Sequence, residues 1–79
     1  MNNLEIYDNI FKRIFNADKQ LLNANFEAGK VSNWDSVSQM ALIGEIEDSF
    51  GIMLDIEDII EFTSYEKGKN LLMKYDIEV

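Results

Sequence analysis

The chain contains no cysteine, no histidine and no proline. Without cysteine there is no disulfide framework, no thiolate metal site and no thiol nucleophile. Without histidine the commonest general base and the commonest transition-metal ligand are missing. An enzyme in its own right is therefore not expected, and stability must come from packing alone. Basic residues are scarce: 7 against 15 acidic ones, for a formal charge of -8. That sign opposes binding to nucleic acid or to anionic lipid and favours a basic protein partner. No apolar run reaches the length of a membrane span. Residues Met1 to Glu5 lack the basic and apolar regions of a secretory signal, so a cytoplasmic protein is expected.

What is present fits one small domain, residues 1–79, near the lower size limit for a self-sufficient core. The 47% apolar share is that of a globular chain and too high for a disordered acidic tail. The charge is unevenly placed. The bases are Lys12, Arg13, Lys19, Lys30, Lys67, Lys69 and Lys74, with none between Val31 and Glu66. That interval holds Asp35, Glu45, Glu47, Asp48, Asp55, Glu57, Asp58, Glu61 and Glu66.

Apolar spacing of three and four at Leu4, Tyr7, Ile10, Phe11, Ile14 and Phe15 predicts an amphipathic helix over about 3–16. A long polar connection follows, with Leu21, Leu22, Phe26 and Val31 as anchors and a possible helical turn at 19–23. A second helix opens at Asp35-Ser36 and runs to about Phe50. Val37, Met40, Ile43, Ile46 (or Glu47) and Phe50 follow its period, Ala41 and Gly44 permit close approach, and Gly51 reads as the left-handed cap. Asp55 can cap a short third helix through Phe62, with Ile56, Ile59 and Ile60 facing inward. Thr63 and Glu66 fit a capping box for a last helix to about Tyr75. Gly68 inside that helix costs about 1 kcal/mol relative to alanine, which suggests tight packing there. No segment alternates with a period of two. The expected class is all-α: a four-helix bundle with a short third helix and a long loop between the first two helices.

Trp34-Asp35-Ser36-Val37 is the one local feature able to carry chemistry. Asp35 or Ser36 can be the N-cap, and Ser36 with Gln39 would make a capping box. Either choice exposes the Ser36 hydroxyl at a helix start. With no base near in sequence, Ser36 cannot activate itself as a nucleophile. It is either a plain cap or a site modified by another enzyme that brings the base and the metal.

Asp35-Ser36-Val37, followed by a helix ending Glu47-Asp48-Ser49-Phe50-Gly51-Ile52, resembles the acyl carrier protein family, which shows Asp-Ser-Leu and then a helix closing on acids and Phe-Gly-Ile. The acidic stretch Asp55 to Phe62 and Thr63-Ser64-Tyr65 at the head of the last helix match too. The resemblance runs along the whole chain and is strongest from Trp34 to Leu72.

The resemblance implies a 4'-phosphopantetheine arm on Ser36, attached from coenzyme A by a Mg²⁺-dependent phosphopantetheinyl transferase. Asp35 would help position that Mg²⁺. Acyl intermediates would ride as thioesters on the arm's thiol. Val37, Glu45, Glu47, Asp48, Asp55, Glu57 and Asp58 would form the docking face for acyl-transferring or acyl-activating enzymes with basic patches, and a monomer is expected. The bland alternative for these acids is a solvated helix face. Ser38 and Ala41 stand where fatty-acid-synthesis carriers usually have acids. With Trp34 before Asp35, this points to a specialised stand-alone carrier, with an aminoacyl or peptidyl carrier as the alternative. Trp34 itself reads as a loop-anchoring core aromatic. Lys69 replaces a usual aliphatic residue, so local packing of the last helix should differ. Met40, Ile43, Ile46, Phe50, Ile59, Ile60, Phe62 and Leu72 are either ordinary core or the lining of an acyl cavity, with Met53 adaptable beside Met40. An unmodified helical interaction module remains the competing reading. A calcium loop is disfavoured, because Asp55-Ile56-Glu57-Asp58 lacks the alternating ligands, central glycine and terminal glutamate.

Overall fold

The computed structural model describes residues 2–79. Among them it is all-helical: α1 (Asn3–Phe15), a 3-10 helix (Lys19–Leu21), α2 (Ser36–Phe50), α3 (Ile56–Glu61) and α4 (Tyr65–Met73). The radius of gyration is 11.3 Å. No described helix is long and apolar enough to cross a membrane.

The helix ends follow local chemistry. Asn2 caps α1 by accepting the Glu5 amide, and Asn16 ends it in the left-handed region at φ 52°. Gly51 ends α2 at φ 65°, where its amide donates to the Glu47 carbonyl, as the sequence predicts. The N-terminus of α4 differs from expectation: Ser64, not Thr63, accepts from the Lys67 amide. Thr63 instead gives its carbonyl to the Ala28 amide at 2.8 Å. The Tyr65 amide donates to the Phe26 carbonyl at 2.9 Å, beside an isolated antiparallel bridge between Glu27 and Ser64. The long connection is thereby pinned to the start of α4. The last helix also stops at Met73 and not Tyr75, its chain continuing through a turn.

The core is aromatic. Phe11 is fully buried, its ring 4.9 Å from Tyr7, 5.9 Å from both Phe26 and Trp34, and 5.4 Å from Tyr65. Trp34 is buried as the expected loop anchor, 4.7 Å from the Phe15 ring. Gly68 is needed by packing: a Cβ there would collide with the Tyr7 hydroxyl and the Phe62 ring. Gly44 meets nothing within 4 Å, so the close approach expected at that position is absent.

Polar atoms inside this core are paired. The Tyr7 hydroxyl donates to the Tyr65 carbonyl at 2.7 Å, and the Tyr65 hydroxyl donates to Asp8 at 2.5 Å. Burial pushes both phenols up, and the neighbouring Asp8 carboxylate pushes them further. Lys69 is half-buried and lies over the Tyr65 ring at 5.0 Å, which is how α4 accommodates a base on that flank.

Candidate functional site

Asp35 is the N-cap of α2, and Ser36 is its first residue. The capping box closes on Ser38: Asp35 Oδ1 accepts from the Ser38 amide at 2.9 Å, and Ser38 Oγ accepts from the Asp35 amide at 2.8 Å. Asp35 wins over Ser36 because its carboxylate then reaches the third amide of the helix. Hydrogen bonding from the Ser38 amide holds the Asp35 carboxyl below the usual carboxylate range. Ser36 is therefore not the cap. Its residue is exposed, and its hydroxyl enters no hydrogen bond among the described residues.

Gln39 has a different role from the capping-box partner expected of it. Its Oε1 accepts from Trp34 Nε1 at 2.6 Å. Its Nε2 donates to the carbonyls of Ile59 and Phe62, each at 3.0 Å. One side chain thus ties the incoming loop, the first turn of α2 and the end of α3. The spacing of Trp34 and Gln39 was the available signal, but the carbonyl partners lie 20 and 23 residues on and leave no trace in local sequence.

The outer face of α2 is apolar. Val37, Met40, Ala41, Gly44 and Asp48 share the helical stripe opposite buried Leu42 and Ile46. Val37, Met40, Met53, Ile56 and Ile60 are between 68% and 82% exposed. This corrects the inward assignment of Met40, Ile56 and Ile60. In α3 the only buried residue is Asp58, because the six-residue helix turns its acid inward and two of its isoleucines outward. Ile43, Ile46, Phe62 and Leu72 are core; Phe50 and Ile59 are half-buried.

The acids expected to dock a partner divide into two groups. Asp48, Asp55 and Glu57 are exposed, as is Glu61. Glu45 is paired with Arg13 at 2.9 Å, so its charge is partly offset. Glu47 is half-buried and accepts the Leu54 amide at 2.9 Å, fixing the link between α2 and α3. Asp58 is buried and paired, so it leaves the docking set. Its oxygens accept from Lys74 Nζ at 2.7 Å and from the Tyr75 hydroxyl at 2.6 Å. The Lys74 ammonium, then the Tyr75 hydroxyl, hold the Asp58 carboxyl below its usual range. The Tyr75 hydroxyl also accepts the Asp55 amide at 2.9 Å. Nothing near Asp58 in sequence announces partners 16 and 17 residues away.

The chain has no histidine and no thiol to bring to the Ser36 end of α2, and no cluster of three or more metal-ligating side chains occurs among the described residues. What the arrangement offers is an accessible alcohol, an adjacent carboxylate and an apolar surface bordered by acids. Comparison of the chain with protein-family models, curated proteins and solved structures finds no match.

Proposed function

We propose that this chain is a carrier of acyl groups, held as thioesters on a 4'-phosphopantetheine arm at Ser36. The observation that carries the reading is the exposed, unbonded Ser36 hydroxyl at the first position of α2. The neighbouring residues fit such a group: the cap is supplied by Asp35, so modifying Ser36 breaks no native hydrogen bond. The helix start directs amide groups and a positive dipole end toward an attached phosphate. Ser36 Oγ would form a new bond to phosphorus in the pyrophosphate of coenzyme A. The adenosine-bearing phosphate would leave, and the hydroxyl proton would pass to a base on the transferase. Asp35 precedes Ser36 in the chain and spends one carboxylate oxygen on the Ser38 amide; its other oxygen would help hold the Mg²⁺ that the transferase requires. The arm supplies the thiol that the chain itself lacks.

An all-helical body of four α-helices, the third of only six residues, suits the same reading. Exposed Val37, Met40, Ile56 and Ile60 provide apolar contact, while Asp48, Asp55 and Glu57 provide charge. Acidic steering gives fast, reversible, salt-sensitive encounters with basic enzyme surfaces, which suits a carrier that visits several partners. The acyl or aminoacyl pathway is a matter of which enzymes those are.

Intact mass spectrometry tests the assignment directly. Incubation with a broad-specificity transferase, Mg²⁺ and coenzyme A should add one phosphopantetheine to the folded protein and none to Ser36→Ala. Folded wild type that gains no mass is an unmodified interaction module, and the carrier reading is then wrong.

A further inference from the structure

We infer that cargo attached through Ser36 stays in water outside the helical body, and that Gln39 is the positioning residue that keeps it there. The cargo class this fits is a short or polar acyl group, such as an aminoacyl or hydroxyacyl thioester. The inference rests on the carrier reading above and deepens it.

Ser36 opens α2, and a seam runs between that helix and α3. Gln39 closes it three residues along the helix, with its Oε1 and Nε2 all engaged: Trp34 Nε1 on one side, the Ile59 and Phe62 carbonyls on the other. Those carbonyls belong to the end of α3, where main-chain acceptors lack partners within the helix. The Ile59 carbonyl also accepts the Phe62 amide at 3.3 Å, so opening the seam leaves the Phe62 carbonyl and the indole N–H unpaired and strips the Ile59 carbonyl of its shorter bond. The other part of α3 is held by Asp58 to Lys74 and Tyr75. The short helix is therefore fastened on both sides of the seam by polar side chains.

Behind the seam the interior is full. Phe62, Ile46 and Leu72 are fully buried, and the Phe62 ring lies 6.4 Å from that of Phe11. The Phe62 ring also occupies the space over Gly68 so completely that no methyl group could be added there. A hollow of about 410 Å³ lies between the end of α1 and the long connection, with Phe15, Leu21, Phe26 and Asn33 in its wall and no α2 residue. A close-packed interior takes no extra methylenes without displacing side chains. A long alkyl cargo would thus remain hydrated, at a cost that grows with every methylene. A short or polar cargo carries no such cost.

The test compares ¹⁵N-labelled protein loaded with alanyl and with octanoyl thioesters. In wild type, both should shift amides around Ser36 only, with the same Tm. Gln39→Leu should speed hydrogen exchange at the Phe62 amide by about tenfold, the worth of a lost buried hydrogen bond. In that variant octanoyl cargo should shift Ile46, Phe62 and Leu72. Gln39→Glu keeps the indole acceptor but turns a carboxylate oxygen onto both carbonyls, so it should speed exchange at the Phe62 amide at least as much. Leu71→Ala, destabilised elsewhere, should keep the seam shut and show no such shifts. Core shifts or a raised Tm in octanoyl-loaded wild type overturn the inference, as does unchanged Phe62 exchange in Gln39→Leu. Octanoyl-specific shifts along Val37, Met40, Ile56 and Ile60 overturn the cargo class. Failure to load Ser36 at all is visible in the mass alone and defeats the carrier reading instead. The exchange rate of the unmodified variant still reports on the clamp.

Discussion

The two sides of this small protein are held together by different forces. Around α1, the long connection and α4, stability comes from interlocked rings: Phe11 alone packs on Tyr7, Phe15, Phe26, Trp34, Phe62 and Tyr65. Around α3 the arrangement is reversed. Its buried residue is an aspartate, its attachments are hydrogen bonds from Gln39, Lys74 and Tyr75, and Ile56 and Ile60 face water. Apolar burial is non-directional and tolerates small shifts, whereas hydrogen bonds fix position and are lost at once when geometry fails. The aromatic side therefore acts as a scaffold. The α3 side is a positioned surface whose apolar groups remain available to something else.

The largest effect should come from breaking the scaffold. Phe11→Ala removes a fully buried ring from the centre of the cluster and should cost about 3–5 kcal/mol. Small domains have only about 5–15 kcal/mol in total, so the variant should be partly unfolded near room temperature. Urea denaturation followed by circular dichroism reads this directly. A loss below about 0.5 kcal/mol, the size of an ordinary surface change, would erase the contrast between the two sides.

A smaller loss is expected from the α3 attachment. Asp58→Asn keeps the shape but removes the charge that accepts from Lys74 and Tyr75. It should lower Tm by a few degrees at neutral pH. The sign of the pH dependence follows from the lowered folded pKa of Asp58. Its stabilising contribution is complete above the unfolded value of about 3.9 and is lost as pH falls through the lower folded value. The gap in Tm between wild type and Asp58→Asn should therefore be constant from neutral pH down to mild acid, then close. The absence of any gap at neutral pH would mean that α3 is held by packing after all.

What could be seen in advance divides along the same line. Helical periodicity located α1 and the Ser36-to-Phe50 helix, and Gly51 and Gly68 were read correctly because their roles depend on backbone geometry and close approach. The exposed serine at the helix start was legible for the same local reason, but the choice of Asp35 over Ser36 as the cap, with Ser38 closing the box, was not. The orientation of α3 was not. Ile56, Ile59 and Ile60 form an apolar face by composition, and nothing local says that a buried aspartate paired with Tyr75 will turn two of them outward. In α2 the apolar residues are nearly continuous around the helix, so periodicity did not choose between the stripe of Leu42 and Ile46 and that of Val37 and Met40. Long-range side-chain partners decided both cases.

The smallest structural effect should be found where an apolar residue would ordinarily matter most. Val37 and Ile56 are 77% and 75% exposed, so Val37→Ser and Ile56→Ser should each change folding stability by no more than about 0.5 kcal/mol. On the scaffold side a truncation of the same chemical kind costs several times that. If the exposed stripe is where partner enzymes rest, the same substitutions should slow modification of Ser36 by the transferase while leaving the melting curve in place. Separate measurement of the melt and of the rate of mass gain distinguishes the two. A lowered Tm with an unchanged rate would show that these side chains are packed in solution and serve the fold. An unchanged Tm with a reduced rate would locate their purpose outside the molecule, which is the reason an isoleucine can stand in water while an aspartate takes its place inside.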